Sequence, residues 1–550
     1  MRRRKLLPLA LAALALARPA CAAHDTLAIG MVQFPPDMHP DITVTAIKQF
    51  ILAAGLRTMV GNNRDGTVRC VLCTEVPTLA NGRARLTDRP GGTHGMTVDY
   101  TLKPDLAWAD GAALTANDFV FGWTVAKAFT PPESVESVQA VDERTVRVVL
   151  KEIRYDFDRQ LAYPLPEHIE GPIFAEAKDP LDYGQHSAYN RAPETPGLWM
   201  GPYRLAQFTP NQTVTLAPNP HWPGPKPAFR EVTMRLVGNN AALQANLLAG
   251  DVQAVAPGML GLTLDQIIGL AKGRDADRFT VSFLPQPGSY EHFALNLDNK
   301  LLADPRVRRA MSMAVDRTAI TTRLFAGKVD PALSFLHPSQ SPWDKATPTF
   351  PYDPAKAKAL LAQAGFKPGP DGILVSPDGD RFSLDYVTTA GNRMRELVQQ
   401  VVQSSFKSVG IELVIHNQPP RVMFGETLRR RQFTGIVQFQ TDMPLDYVPS
   451  SYFESRYIPT EANSWTGLNY SGLRDPQMDA ALQAARTELD PQKRGALWRT
   501  ILDRYAELLP EIPLFFTVFT DIVPTWLTGV ADPKRYGVAT GWIEDWAVKD

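Results

Sequence analysis

The sequence predicts an α/β protein built from two or three domains. Length is the first reason: 550 residues exceed the size at which one apolar core keeps growing. The second is an irregular interleaving of strand-like alternation with capped amphipathic helices, as α/β and α+β lobes show. The third is the lack of any repeat period of 20–50 residues, which disfavours solenoids and propellers.

The N-terminus sets the expected compartment. Arg2, Arg3, Arg4 and Lys5 precede an apolar run from Leu6 to Ala17, and Ala20-Cys21-Ala22-Ala23 offers small residues for cleavage. This is the pattern of a signal peptide, residues 1–23, cleaved near residue 23 for export to the periplasm. The run is too short for a stable anchor. Arg3-Arg4-Lys5-Leu6-Leu7 leaves twin-arginine export open beside the general route. Arg18 and Pro19 stand where a lipobox wants a large apolar and a small residue, which disfavours lipidation at Cys21.

Cleavage would remove five basic residues and no acidic one, taking the formal charge from −1 to −6. A mildly acidic body has no electrostatic reason to bind nucleic acid. No later segment reads as a membrane span. The remaining cysteines, Cys70 and Cys73 in C-V-L-C, read most simply as a disulfide closing a tight loop. No second ligand pair completes a zinc site, and no cofactor or metal is expected.

Strands are expected at Thr145–Leu150 and Glu231–Val237, and a hairpin at Tyr203–Phe208 and Thr213–Leu216 turning at Pro210-Asn211. Asp304-Pro305, Asp353-Pro354, Asp475-Pro476 and Asp490-Pro491 each place a capping carboxylate before a first-turn proline, the start of a helix. Arg395–Val409 is amphipathic. Gly410 ends it, and a strand follows at Ile411–Ile415.

Enzyme motifs are missing. None of the nine histidines is followed by glutamate, so H-E-x-x-H is absent, as are G-x-S-x-G, the P-loop and G-x-G-x-x-G. An exported hydrolase with dispersed residues stays as a rival; the expectation is a protein that is not an enzyme.

Several stretches then match one family in order. Trp108 to Phe119 (W-A-D-G-A-A-L-T-A-N-D-F) resembles its W-S-D-G-x-P-L-T-A-x-D-V segment, with Asp110-Gly111 in a turn and Thr115 and Asp118 arranged as a capping box. Gly201-Pro202-Tyr203, Asn219-Pro220-His221-Trp222 and Leu248 to Gln253 (L-A-G-D-V-Q) follow. So do Asp304 to Arg317 (D-P-R-V-R-R-A-M-S-M-A-V-D-R), Tyr352 to Gly365 and Pro513-Leu514. The set, over about residues 90–520, resembles the extracellular solute-binding proteins of the oligopeptide, dipeptide and nickel class of ABC importers, solute-binding protein family 5.

The resemblance implies a periplasmic-binding-protein-like fold of type II, in which two lobes of a three-domain chain close about a hinge over a ligand. Domain I would comprise 24–62, 199–290 and 519–550, domain II 63–198, and domain III 291–518. The crossings would fall at Arg191–Pro202 and Pro285–Pro287. It implies capture of a peptide or peptide-like solute and delivery to ABC transporter permease subunits. A monomer is expected, since a hinged lobe pair needs no second copy.

In peptide-binding relatives the ligand adds as an extended strand to domain III, and an aspartate in W-x-x-D-Y-x-D-P meets its α-ammonium. The corresponding stretch looks like Phe439-Gln440-Thr441-Asp442-Met443, which makes Asp442 the amine partner; Gln438 and Gln440 offer backbone groups, and Phe439 and Thr441 lie between them. Phe replaces Trp and the D-P is gone, so Asp446-Tyr447 stands as an alternative register. Asp442 capping a turn before Pro444 is the plainer alternative. Tyr290, Phe293 and Asn296 near the crossing, Phe34 in F-P-P, and Trp465 and Asn469 after a polar segment are further ligand-binding candidates, each with core packing as its rival. His292 and His416 could meet nickel or a chelate. A metal chelate, opine or sugar would keep the fold and replace the anchor. Arg429-Arg430-Arg431 turned inward would favour an anionic ligand; a solvated face is the rival reading.

Overall fold

The computed structural model describes residues 24–549 except 64, 66, 130–133, 341–346 and 532–535. The expected signal peptide, residues 1–23, lies outside the described residues.

A ten-stranded mixed sheet runs through the molecule. Its strands lie side by side in the order Glu412–Ile415, Ser383–Val387, Ile436–Asp442, Phe279–Leu295, Glu511–Pro524, Ala254–Val255, Thr26–Met31, Glu231–Leu236, Thr213–Pro218 and Tyr203–Thr209. Two long antiparallel strands form its spine, Phe279–Leu295 and Glu511–Pro524. Their pairing is interrupted: Phe279–Pro285 pairs with Val518–Pro524, the register shifts, and pairing resumes at Tyr290 opposite Phe516. Pro285 and Pro287 explain the break, because proline has no N–H to give to a ladder. Gly288 completes it, since a Cβ there would sit 1.9 Å from the Met443 carbonyl oxygen. Each spine strand therefore changes neighbours along its length. One end of Glu511–Pro524 pairs with Ala254–Val255, and the far end of Phe279–Leu295 pairs with Ile436–Asp442.

The burial pattern divides accordingly. One apolar core draws on residues 27–260 and 523–546, including Leu27, Trp108, Tyr203 and Ile543. A second draws on residues 290–516, including Phe293, Val307, Tyr386 and Ile512. A small third cluster at Leu243, Leu247, Phe279 and Ile522 packs beside the spine. The antiparallel sheet of Ala84–Asp88, His94–Thr101, Thr145–Leu150 and Val135–Asp142 contributes Met96, Val98 and Val148 to the first core. The expected domains I and II thus share one continuous apolar interior.

Local signals act where they stand. Asp304, Asp353, Asp475 and Asp490 are all helix N-caps, each accepting main-chain N–H bonds from the first turn. Helix Arg393–Ser408 ends at Gly410 (φ 87°) and leads into Glu412–Ile415. The hairpin of Tyr203–Thr209 and Thr213–Pro218 turns with Asn211 at φ 57°. At Thr115 half the capping box is formed: the Asp118 carboxylate accepts from the Thr115 N–H at 2.8 Å. The other Asp118 oxygen accepts from the Glu167 N–H at 3.1 Å. Cys70 and Cys73 are disulfide-bonded, their Cα atoms 5.1 Å apart.

Candidate ligand-binding site

Strand Ile436–Asp442 runs antiparallel to Phe279–Leu295, with Asp442 opposite Ser289 and Ile436 opposite Leu295. The Asn296 N–H donates to Gly435 at 3.1 Å and the Met443 N–H to Gly288 at 2.7 Å. These bonds set the phase of an antiparallel ladder: odd-numbered residues turn their main-chain groups toward the spine, and Gln438, Gln440 and Asp442 turn theirs to the opposite edge. On that edge the parallel neighbour Ser383–Val387 pairs only as far as Val437. The Gln438 carbonyl then accepts from the Thr388 hydroxyl at 2.9 Å, and the Asp442 carbonyl from the Tyr452 hydroxyl at 3.2 Å. Gln440, between them, faces a stretch of edge that no described strand covers.

Side chains alternate across the strand. On the face shared with Ser289, the exposed Asp442 carboxylate accepts from the Ser289 hydroxyl and from the Gln440 amide at 3.0 and 3.3 Å. Among the described residues no Lys, Arg or His is ion-paired with it. Deeper on the same face, Glu291 accepts from the Arg395 guanidinium at 2.9 and 2.6 Å, and Arg395 also donates to the Thr389 hydroxyl at 3.0 Å. On the opposite face Phe439 packs edge-on against His292, ring centroids 4.5 Å apart, with Phe424 and Tyr470 each at 6.0 Å. Beneath them the Glu511 carboxyl accepts from the Tyr290 and Tyr505 hydroxyls at 2.7 and 3.3 Å. Burial pushes Glu511 up to about 7 and His292 down to about 3. A cavity of about 10 Å³, bordered by His292, Thr441, Tyr470 and Glu511, remains there. That is room for about one water.

Several expected binding residues have side chains that make other contacts in the described structure. Gln438 is fully buried, accepts from the Tyr386 hydroxyl at 2.6 Å and donates to Glu291 at 3.4 Å. Tyr290 lies in the core with its hydroxyl on Glu511. Phe293 packs edge-on against Tyr386 and Phe406. The Asn296 amide donates to the Phe433 carbonyl, and its oxygen accepts from the Asp298 N–H at 3.1 Å, fixing a turn. Asn469 is fully buried, bonded to the Glu454 and Leu473 carbonyls at 3.2 and 3.0 Å and to the Leu473 N–H at 3.0 Å. Phe34 is half-buried on the Phe208 ring. Trp465 lies under the Arg430 guanidinium, 5.9 Å from its centroid. None of these seven reaches the Asp442 carboxylate. Parity and depth account for this: an inward-pointing aromatic or amide reads the same in sequence as one lining a cleft.

The arginine run is held outside. Arg429 and Arg430 are exposed, Arg430 pairs with Glu426 at 3.2 Å, and Arg431 reaches Asp298 at 2.8 Å. His416 lies beside Asp385 at 3.3 Å. Among the described residues, no group of three or more His, Cys, Asp and Glu side chains could hold a metal ion.

The loop after Asp442 meets the other lobe. The Tyr155 hydroxyl donates to the Asp446 carbonyl and accepts from the Val448 N–H at 3.0 Å. Arg159 approaches the Asp446 carboxylate at 3.4 Å. Burial raises the Asp446 carboxyl, and Arg159 opposes that shift. Beside this contact lies a cavity of about 440 Å³, walled by Lys151, Arg154 and Tyr155 on one side and Tyr447, Arg456 and Arg486 on the other. Nothing local in the sequence marks Tyr155, Arg159 or Arg486, because their partners lie hundreds of residues away.

The chain belongs to the bacterial extracellular solute-binding proteins, family 5, whose middle region matches residues 92–463. It is 26% identical to "Oligopeptide-binding protein AppA" of Bacillus subtilis (strain 168), covering 82% of this chain and 81% of that one. It is 26% identical to "Glutathione-binding protein GsiB" of Salmonella typhi, covering 92% and 91%. The crystal structure of the oligopeptide-binding protein of Thermus thermophilus with a pentapeptide superposes with a TM-score of 0.74 at 28% identity, covering 96% of this chain and 98% of that one. The fold is the two-lobed α/β fold of this family. No described helix is long and apolar enough to cross a membrane.

Proposed function

We propose that this protein is the substrate-capturing component of an ABC importer and takes peptides or peptide-like solutes between its two lobes. The uncovered edge at Gln440, ending at the exposed Asp442, carries this reading. An extended peptide can add there as one more strand through main-chain hydrogen bonds. Its α-ammonium meets a carboxylate that Ser289 and Gln440 hold in place and that no described protein cation neutralises. Phe439, Phe424 and Tyr470 offer an aromatic wall for side chains. The oligopeptide- and glutathione-binding relatives support the same substrate class.

In this reading the lobes are domain I (24–62, 199–290, 519–550) with domain II (63–198), and domain III (291–518). They turn about the interrupted spine at Pro285–Ser289. Closure excludes water and strengthens charge contacts to the ligand. The chain is exported by a signal peptide cleaved near residue 23, works as a monomer without catalysis, and passes its ligand to the permease.

Native mass spectrometry of the mature protein from its own host tests this. A co-purifying ladder of short-peptide masses is expected, and Asp442→Asn should deplete it. A single non-peptide mass would overturn the peptide reading.

A further inference from the structure

The 440 Å³ cavity is a second candidate binding feature, separate in its lining from Asp442. Lys151, Arg154, Arg456 and Arg486 border it, against Glu152 and Asp156. Two of these cations are already neutralised. Arg154 is bonded to Asp156 at 2.8 and 2.9 Å and lies 3.6 Å from Glu152. Arg456 reaches Glu454 at 2.7 Å.

The other two have no such ion pair, although Lys151 lies near enough to Glu136, itself paired with Arg89, to help hold that carboxyl down. Among the described residues no carboxylate pairs with Lys151 or Arg486. Arg486 Nε is also shut off from solvent without a hydrogen-bond partner. A ligand oxyanion in the cavity would therefore meet this guanidinium through its Nη groups, which are not closed off in that way and suit a charge-assisted bond. The two cations come from opposite lobes. The main-chain bond from the Tyr155 N–H to the Arg486 carbonyl, 3.0 Å, ties the two walls together beside them. The volume falls within the range of small-molecule sites.

We infer that this interlobe cavity is an oxyanion subsite, in which a carboxylate of the bound solute bridges Lys151 of one lobe and Arg486 of the other. The inference rests on the solute-capture reading and narrows it to ligands with a free carboxylate. An oxyanion shared by the two cations also favours the closed arrangement, because both charges contact it only when the walls are together.

Calorimetric titration of the full mature chain with trialanine, trialanine amide, succinate and inorganic phosphate tests this. Wild type should bind trialanine at least about tenfold more tightly than its amide, the scale of one charge-assisted bond. Lys151→Gln should reduce that ratio, and Lys151→Gln with Arg486→Gln should abolish it while leaving amide binding unchanged. Lys151 is exposed, so the single variant provides the folded control if the double variant does not fold. Succinate binding lost in Lys151→Gln, with no peptide binding, supports the subsite and discards the peptide reading. Phosphate binding as tightly as trialanine overturns the carboxylate assignment. Equal binding of trialanine and its amide, unaffected by either variant, overturns the subsite and leaves peptide capture standing. No binding of any probe at millimolar concentration overturns both.

Discussion

Tyr155 of the N-terminal lobe places its hydroxyl between two main-chain groups of the other lobe, donating to the Asp446 carbonyl and accepting from the Val448 N–H. Its ring packs against the second core, and the Arg494 guanidinium lies 5.0 Å from its centroid. With Arg159 on the Asp446 carboxylate, this side chain ties the loop that follows Asp442 to the other lobe.

Tyr155→Phe keeps the ring and removes both bonds, each worth about 0.5–1.5 kcal/mol net. The expected result is a shift toward the open arrangement. Ligand retention should weaken by up to about five- to 150-fold, the scale of those two bonds together, and small-angle scattering should show a larger radius of gyration. An unchanged radius and affinity would assign the contact to packing alone.

Arg395 and Glu291 form a buried pair beneath the candidate anchor. Arg395→Ala leaves a carboxylate buried without its cation, which costs about 3–5 kcal/mol. Chemical denaturation followed by fluorescence should show this loss, and the paired change Arg395→Met with Glu291→Gln should recover part of it. A loss below about 1 kcal/mol would be inconsistent with the buried geometry.

Glu511 titrates at about 7 in the folded protein, against an ordinary value of 4.5. The folded state therefore holds a proton that the unfolded chain gives up. Its contribution is fully present below pH 4.5 and is lost as pH rises through 7. His292, lowered to about 3 from 6.5, acts in the opposite sense: its contribution is present above pH 6.5 and falls away toward pH 3. Glu511→Gln should remove the first dependence. Wild-type stability relative to this variant should then fall by on the order of 2–3 kcal/mol between pH 4.5 and pH 7.5. Denaturation midpoints across that range check it, and a flat difference would contradict the burial of Glu511.

Gly288 sits where the spine breaks and the Met443 carbonyl comes closest. Gly288→Ala must push that loop away, because the new Cβ would overlap the carbonyl oxygen. Thermal unfolding should show a midpoint lower by several degrees, with ligand binding weakened in parallel. A midpoint equal to wild type would mean that the turn absorbs the methyl group without strain.

What was legible in the sequence was local. Asp304, Asp353, Asp475 and Asp490 announced helix starts because an N-cap acts on amides two or three residues away. Gly410 and the Asn211 turn were legible for the same reason. The prolines at Pro285 and Pro287 stood out only as a crossing that the family resemblance implied; that they interrupt a strand ladder emerged from the pairing of Phe279–Leu295 with Glu511–Pro524. Asp442 was found only through resemblance, since one aspartate at a strand end has no signal of its own. Tyr290, Phe293 and Asn469 read in sequence as either ligand-facing or core, because composition does not tell a buried polar or aromatic group from one lining a cleft; the fold places all three inside. Arg395, on an amphipathic helix, reads as a solvated charge until Glu291 is placed beside it.

Residue order alone was enough for the alternation of strands and capped helices, the positions of turns and helix ends, and the motifs that place the chain in its family. These depend on neighbours within a few residues. The assembled fold was needed to show which strand face carries Asp442, which edge stays uncovered at Gln440, and that Tyr155 and Arg486 wall one cavity. Those depend on the phase of the ladder and on contacts such as that of Tyr155 with Val448, 293 residues apart in the chain, a separation over which no local preference acts.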